Sequence, residues 1–203
     1  MFNYKKYFSH LIYFVTLLFF VAVIFLPAVY VLSFAFGGKL AISNELLGVL
    51  RISFLVAFIV TIVNLFFGVA FAWVFVNTKS KYKAWMDNLI DLPLVVPTAA
   101  LGLSVFLFWG EFWHIGKGLV LIILLHIIFT IPYMVRSVAA AIEQINKTYN
   151  EAGTTLGASP FTLFRTIDFP LFKGGVVVGA VLTLTRSLSE TGAWMVVASA
   201  AAM

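Results

Sequence analysis

Long runs of apolar residues without charge dominate this chain, and charged residues separate them. Four such runs lie at residues 11–36, 52–76, 92–110 and 118–135, and a fifth, at about 174–200, is interrupted only by Arg186 and Glu190. A helix needs about 20 apolar residues to cross about 30 Å of hydrocarbon. The pattern therefore predicts an all-α integral membrane protein, a bundle of about five transmembrane helices in a single domain at residues 1–203.

Composition agrees with this prediction. Hydrophobic residues make up 63% of the 203 residues and charged residues 10%. A soluble domain has about 25% charged residues, and disordered chains are rich in charge and poor in aromatics. The 26 uncharged residues of the first run exceed the usual apolar region of a cleaved signal peptide. We therefore expect an uncleaved first helix in a multi-pass protein of the cell membrane.

Basic residues predict the orientation of the helices. The net charge is +5, but the basic residues lie between apolar runs, so membrane orientation explains them better than nucleic-acid binding. Nine of them fall on one side of the predicted membrane: Lys5, Lys6, Lys79, Lys81, Lys83, Arg136, Lys147, Arg165 and Lys173. The positive-inside rule then places the N-terminus and the loop at residues 137–173 in the cytoplasm.

Two prolines fall close together at the start of the third run. Pro93 and Pro97 each remove a backbone donor, which favours a broken segment packed beside other protein. Kinks that only assist helix packing are the alternative.

The loop at residues 137–173 contains start and stop signals for two short helices. Thr148 and Glu151 have the spacing of a capping box, and Gly157 can take the left-handed conformation that ends a helix. Ser159-Pro160 is typical of a second helix start, and Phe169-Pro170 predicts its end. Both short helices have apolar faces, which require a partner: Tyr149, Ala152 and Leu156 in the first, and Phe161, Phe164 and Ile167 in the second.

This loop resembles the EAA loop of ABC-importer permeases. The family form is Glu-Ala-Ala, three residues, Gly, nine residues, then Ile-x-Leu-Pro, and here Gly153 replaces the second Ala and Phe169 replaces Leu. The resemblance implies that loop residues dock onto cytoplasmic ATPase subunits: Tyr149, Glu151, Ala152, Gly153, Leu156, Gly157, Phe161, Phe164 and Pro170. Glu151 has an alternative role as half of the capping box.

Two further segments resemble the molybdate, tungstate and sulfate permeases. They are residues 91–103 and residues 186–193. The resemblance implies a homodimeric permease subunit that moves an oxyanion, receives it from an extracytoplasmic binding protein and contains no cofactor. Such permeases usually have six spans, whereas this chain ends at Met203 with the fifth helix barely complete, so we expect a fragment or a shortened permease.

Polar residues inside the predicted spans are candidates for the transport pathway. Those of the fifth span are Arg186, Ser189, Glu190, Thr191 and Gly192. Arg186 and Glu190 are four apart on one helix and can pair, which leaves a structural ion pair as the alternative. Asn64 and His126 are expected to bond neighbouring helices, and Gly175 and Gly179 allow close helix approach.

Other classes of function have less support. The three histidines lie far apart in depth, no catalytic set is apparent, and no phosphate-binding loop is present. The sequence thus predicts no metal site and no catalytic residues, with ATP hydrolysis on a separate subunit. A permease for thiamine, iron or a polyamine, or a membrane scaffold without transport, remains as an alternative.

Overall fold

A computed structural model of the chain describes residues 4–34, 44–79, 81–115 and 118–190. These residues form helices and connecting turns without any strand, which confirms the predicted all-α class. The α-helices in chain order are α1 (Tyr4–Phe20), α2 (Leu26–Phe34), α3 (Asn44–Asn77), α4 (Lys83–Val95), α5 (Thr98–Val105), α6 (Leu119–Glu143), α7 (Lys147–Thr155), α8 (Pro160–Leu163) and α9 (Phe169–Ser189). Wider π-helical segments follow α1, α5 and α8: Val21–Phe25, Phe106–Phe112 and Phe164–Asp168.

The chain divides into two compact units, Met1–Val49 and Leu50–Met203. In the first unit the span Phe8–Ser33 buries none of its residues within the protein. Its apolar side chains are therefore available to lipid along the whole span.

Helices α6 and α9 form the centre of the second unit, and glycines allow them to approach closely. A Cβ atom added at Gly175 would lie 2.8 Å from the carbonyl oxygen of Ser137, and one at Gly179 would lie 3.2 Å from Cα of Met134. The contacts run in opposite directions along the two helices, so the helices are antiparallel. Small residues drive helix association in lipid by permitting such contact. The close approach expected at Gly175 and Gly179 is thus present, within one chain.

The main hydrophobic core lies where α3, α4, α6 and α9 meet. Its buried members are Ala72, Phe75, Ile90, Met134, Val135, Val138, Ala139, Ile142 and Phe172. A second cluster joins α6 to α5 and the π-helical segment after it: Val105, Phe106, Leu121, Leu125 and Phe129.

Four helices of the described part of the chain are long and apolar enough to span a membrane, and a bent pair brings the number to five if it is counted as one broken span. The bent pair consists of α4 and residues Thr98–Phe112, which meet at an angle of 103°. Val96 is extended because it precedes Pro97, so α4 ends there. The break predicted from the two prolines is confirmed, and the apolar run 92–110 is not one straight helix.

The last span begins earlier than the sequence predicted. Helical structure continues from Pro160 to Ser189, so the predicted stop at Phe169-Pro170 is wrong. The π-helical segment before Pro170 explains this difference, because the amide of Phe169 bonds the carbonyl of Phe164, five residues back. The wider turn accommodates a residue that has no N–H and whose ring would clash in a regular α-helix.

Candidate functional site

Helix α7 begins two residues before the predicted capping box. Asn146 is the N-cap, and its side-chain oxygen accepts a 3.0 Å hydrogen bond from the amide of Thr148. Thr148 therefore lies inside the helix, and its predicted role as N-cap is wrong. Asparagine is among the best N-cap residues, so the competing signal was present two positions upstream.

Gly157 ends α7 in the conformation that the sequence predicted. Its φ angle is +79°, and the amides of Gly157 and Ala158 bond the carbonyls of Thr154 and Gly153 at 2.9 and 3.0 Å. This pair of bonds is the Schellman motif, which satisfies carbonyls that a helix end would otherwise leave without donors. The chain therefore reverses at a fixed geometry.

Helix α8 starts as predicted, with Ser159 as N-cap and Pro160 in the first turn. The side chain of Ser159 accepts a hydrogen bond from the amide of Thr162. The two helices pack tightly at Gly153, where an added Cβ would overlap the side chain of Leu163. The glycine that departs from the family form therefore lies where α7 approaches α8 most closely.

Three large apolar side chains of the α7–α8 turn point away from the protein. Tyr149 is 55% exposed, Leu156 87% and Phe161 71%. Glu151 and Ala152 are also exposed. Exposed apolar side chains grouped around one turn, in a short helix and at the first residues of the last candidate span, are typical of a protein–protein contact surface. We call Tyr149, Leu156 and Phe161 the exposed loop face.

The opposite side of the α7–α8 turn is attached to the bundle. The side-chain nitrogen Nδ2 of Asn150 donates a 2.8 Å hydrogen bond to Oδ1 of Asp168, which is only 4% exposed. Leu163 and Ile167 contact the position of Gly153. Asp168 and Asn150 were not identified from the sequence, because a polar pair 18 residues apart is visible only once the turn is formed.

Four aromatic rings extend this attachment to α3 and α9. The ring centroids of Trp73 and Phe164 are 5.0 Å apart, those of Trp73 and Phe172 5.8 Å, and those of Phe169 and Phe172 5.5 Å. Phe164, which the sequence grouped with the docking residues, is partly buried in this cluster. Pro170 follows the cluster on α9 and is exposed.

A buried layer of polar side chains joins α3, α6 and α9 inside the bundle. The side-chain nitrogen Nδ2 of Asn64 donates to Oγ1 of Thr130 at 2.7 Å, and the hydroxyl of Thr130 donates to the backbone carbonyl of His126. The expected bond between Asn64 and a neighbouring helix is therefore present. Thr183 and Ser187 are buried on α9, and their hydroxyl groups have no hydrogen-bond partner among the residues that the structure describes. Nδ1 of His126 lies 2.8 Å from the carbonyl of Ile122 on its own helix.

The candidate pathway residues of α9 include an ion pair. Nη2 of Arg186 lies 3.0 Å from Oε2 of Glu190, and the Glu190 side chain is 6% exposed. The guanidinium also lies 5.5 Å from the centre of the Phe129 ring. Ser189 is exposed and donates to the carbonyl of Arg186. Thr191 and Gly192, the other predicted pathway residues, lie outside the described residues.

Arg136 forms an ion-pair network that was not predicted from the sequence. Its Nε and Nη2 donate to the two carboxylate oxygens of Asp91 at 2.9 and 2.6 Å, and its Nη1 donates to Asp87 at 2.5 Å. Nη2 also lies 3.2 Å from the carbonyl of Asp87. The network fixes α4 against α6 next to the break at Pro97. The four-residue spacing of the two aspartates was the available signal, and Arg136 had been counted only as a loop charge.

The helices and the buried polar layer define a multi-pass membrane protein with an exposed loop, and comparison with known sequences places it in a family. Residues 64–202 match the family described as binding-protein-dependent transport system inner membrane component. The chain belongs to that family, which confirms the resemblance found in the loop.

Similar proteins include permeases for two oxyanions. The sulfate transport system permease protein CysT of Salmonella typhimurium is 35% identical over 159 residues, which cover 73% of this chain and 57% of that protein. The molybdenum transport system permease protein ModB of Escherichia coli is 32% identical over 154 residues, covering 70% and 67%. The probable sulfate permease cysT of a Helicosporidium species is 34% identical over 151 residues, covering 68% and 55%. The chain spans a little over half the length of these sulfate permeases.

Proposed function

We propose that the chain is the permease subunit of an ATP-driven importer for an oxyanion, molybdate or tungstate or sulfate. The observation that carries this proposal is the exposed loop face, held at fixed geometry by the Gly157 turn in a chain of this family. The similar sulfate and molybdenum permeases support an oxyanion as the substrate. The chain itself performs no chemistry, and ATP hydrolysis takes place on separate cytoplasmic subunits.

The exposed loop face is the surface that we assign to the ATPase subunit. Burying a side chain the size of Leu156 or Phe161 contributes about 1.5–3 kcal/mol, so a few such residues are enough to hold a helix in a groove. Glu151 and Ala152 lie on the same short helix and complete the contact. Gly153 and Phe164 act differently: Gly153 allows α7 and α8 to pack closely, and Phe164 packs against the bundle. Pro170 lies in the first turn of α9, so it affects docking through the position of that helix.

Movement of the ATPase reaches the spans through the buried side of the loop. The hydrogen bond from Asn150 to Asp168 and the contact of Phe164 with Trp73 join α7 to α9 and α3. Packed cores transmit displacement as rigid bodies rather than deforming continuously. A shift of α7 is therefore expected to move α3 and α9 together.

The basic residues support an orientation with the N-terminus and the loop in the cytoplasm. Lys79, Lys83 and Lys147 all lie at the helix ends near α7, where the positive-inside rule expects them. In this orientation the α9 ion pair lies in the outer half of the membrane, on the route of substrate delivered by an extracytoplasmic binding protein.

Arg186, Ser189 and Glu190 then form one wall of an outer gate. Because Glu190 pairs with Arg186, the guanidinium is not free to hold an anion permanently, which suits a gate better than a binding site. A second copy of the chain supplies the opposite wall, and lipid covers the apolar faces of α1–α3.

Uptake into vesicles tests the function. The chain, its ATPase and its binding protein are reconstituted together, and labelled molybdate, tungstate and sulfate are added with and without ATP. We expect ATP-dependent uptake of at least one oxyanion, which excess unlabelled oxyanion suppresses. If thiamine, iron or a polyamine is taken up with ATP and no oxyanion is, that compound replaces the oxyanion as the assigned substrate. If the ATPase binds but nothing is taken up, a membrane scaffold is favoured.

A further inference from the structure

A cavity of about 690 Å³ lies at the end of the spans, between the last turns of α3 and α6 and the first turns of α7. Its volume is in the range of ligand-binding pockets. Glu151, Asn150 and Asp168 contribute to its wall, but the function proposed above assigns no ligand to the cavity itself. Its walls combine three kinds of surface, and each points to a different part of the same ligand.

Lysines form the first kind of surface. Lys79, Lys83 and Lys147 come from three different segments and line the cavity together. No ion pair between residues that the structure describes involves any of the three. The ammonium of Lys83 instead lies 5.0 Å from the centre of the Phe75 ring. Three ammonium groups without carboxylate partners around one space favour a phosphate group there.

Acceptors form the second kind of surface. Asp168, Glu151 and Glu143 line the cavity together with the lysines. Carboxylates accept strong hydrogen bonds from cationic N–H groups. This surface therefore favours a ligand that carries an ammonium group as well as a phosphate.

Apolar side chains form the third kind of surface. Val76, Ile142 and Ile145 line the cavity beside Trp73, at the ends of two helices that are apolar enough to span a membrane. Tryptophan and lysine at this level are typical of the lipid head-group region. The cavity therefore has access to acyl chains as well as to charged groups.

We propose that this cavity binds the head group of phosphatidylethanolamine. The lysines hold the phosphate, the primary ammonium donates to the carboxylates, and the apolar wall receives the start of the acyl chains. Phosphatidylglycerol has no ammonium group, and phosphatidylcholine has no N–H to donate. This proposal depends on the proposed function in one respect: the orientation of the permease places the cavity at the cytoplasmic leaflet, from which the lipid comes. A bound lipid would connect α7 to α3 and α6 at the point where the loop meets the bundle.

Native mass spectrometry of the purified full chain tests the site. Synthetic phosphatidylethanolamine, its N,N-dimethyl form, phosphatidylcholine and phosphatidylglycerol with identical acyl chains are added at equal concentrations, and soluble glycerophosphoethanolamine is added separately. We expect binding to decrease as the ammonium is methylated, weaker binding of phosphatidylglycerol, and weak binding of the soluble head group. Equal binding of the ethanolamine and choline lipids, or stronger binding of phosphatidylglycerol, would overturn the proposal.

Variants assign the binding to the cavity. Lys83→Gln is expected to weaken phosphatidylethanolamine binding about fivefold, which corresponds to about 1 kcal/mol. Lys81→Gln is the matched control, because Lys81 is exposed and its ammonium lies over Tyr82. Equal effects of the two substitutions would contradict the assignment. The comparison of lipids uses only the unmodified protein and no ATPase, so its result is independent of whether the loop binds an ATPase.

Discussion

The side chain of Asn150 on α7 donates a hydrogen bond of 2.8 Å to Asp168, which is almost fully buried just before α9. This bond connects the two ends of the loop that the turn at Gly157 brings together. Asp168 is exposed to solvent by only 4% of its surface, so its carboxylate depends on such partners. The bond therefore stabilises the α7–α8 turn and also determines how it is attached to the last span.

Asn150→Ala removes this donor, and we expect it to reduce stability. Loss of a hydrogen bond to a buried carboxylate costs about 1–3 kcal/mol, which should lower the melting temperature of the purified protein in detergent. Asn88→Ala is the control, because Asn88 is exposed on α4. Equal melting temperatures for the two variants would show that the bond contributes nothing.

Two adjacent glycines at the start of α9 should respond in opposite ways to alanine. A Cβ at Gly175 would lie 2.5 Å from Cβ of Ala141 and 2.8 Å from a backbone oxygen, whereas one at Gly174 meets nothing within 4 Å. Gly175→Ala must separate α6 from α9 and should reduce the yield of monodisperse protein in size-exclusion chromatography. Gly174→Ala should be neutral or stabilising by up to about 1 kcal/mol, because alanine favours helix. Similar yields for both would contradict the packing at Gly175.

The membrane class, the broken segment and the turn at Gly157 were predictable because each depends on local sequence. Apolar run length identifies a span, Pro97 restricts Val96, and glycine permits a positive φ. These signals act within a few residues and need no knowledge of what packs nearby.

Features that depend on distant contacts were not predictable. Pro170 ends no helix because a π-helical segment precedes it, and the sequence contains no simple signal for that segment. Arg136 lies 45 residues from Asp91, so only the packing of α4 on α6 shows that they pair. At the start of α7, Asn146 and Thr148 both qualify as N-caps, and local rules do not decide between them.

Substitutions of Arg136 should show whether its network depends on hydrogen-bond geometry or on charge alone. Arg136→Lys keeps the charge but loses the paired hydrogen bonds to Asp91, so it should destabilise nearly as much as Arg136→Gln. The partners are about 40% exposed, so a double-mutant cycle with Asp91→Asn should give a coupling energy of only about 1 kcal/mol. Chemical unfolding in mild detergent supplies the four free energies. A coupling energy of zero would mean that the pair does not hold α4 against α6.

Substitutions of Leu156 and Phe164 should separate an effect on ATPase docking from an effect on folding stability. Leu156→Ser changes an exposed side chain, so the melting temperature should stay unchanged while co-purification of the ATPase falls. Phe164→Ala opens a space between Trp73 and Phe172 and should cost about 3–5 kcal/mol if the site does not collapse. An ATPase yield unaffected by Leu156→Ser would remove Leu156 from the docking surface.

Gly157 provides a test in which backbone conformation and side-chain size are separated. A Cβ at this position meets nothing within 4 Å, so any loss of stability in the free protein comes from the positive φ. Asparagine tolerates that conformation, whereas valine does not, at a cost of about 1–2 kcal/mol or more. We expect Gly157→Asn to retain most of the ATPase in co-purification, and Gly157→Val and Gly157→Asp to lose it while remaining inserted in the membrane. The aspartate variant tests the contact itself, because its backbone cost is small and its charge would be buried against the partner. If Gly157→Val and Gly157→Asp both co-purify the ATPase at wild-type yield, the loop is not the docking site, even though its turn is formed as described.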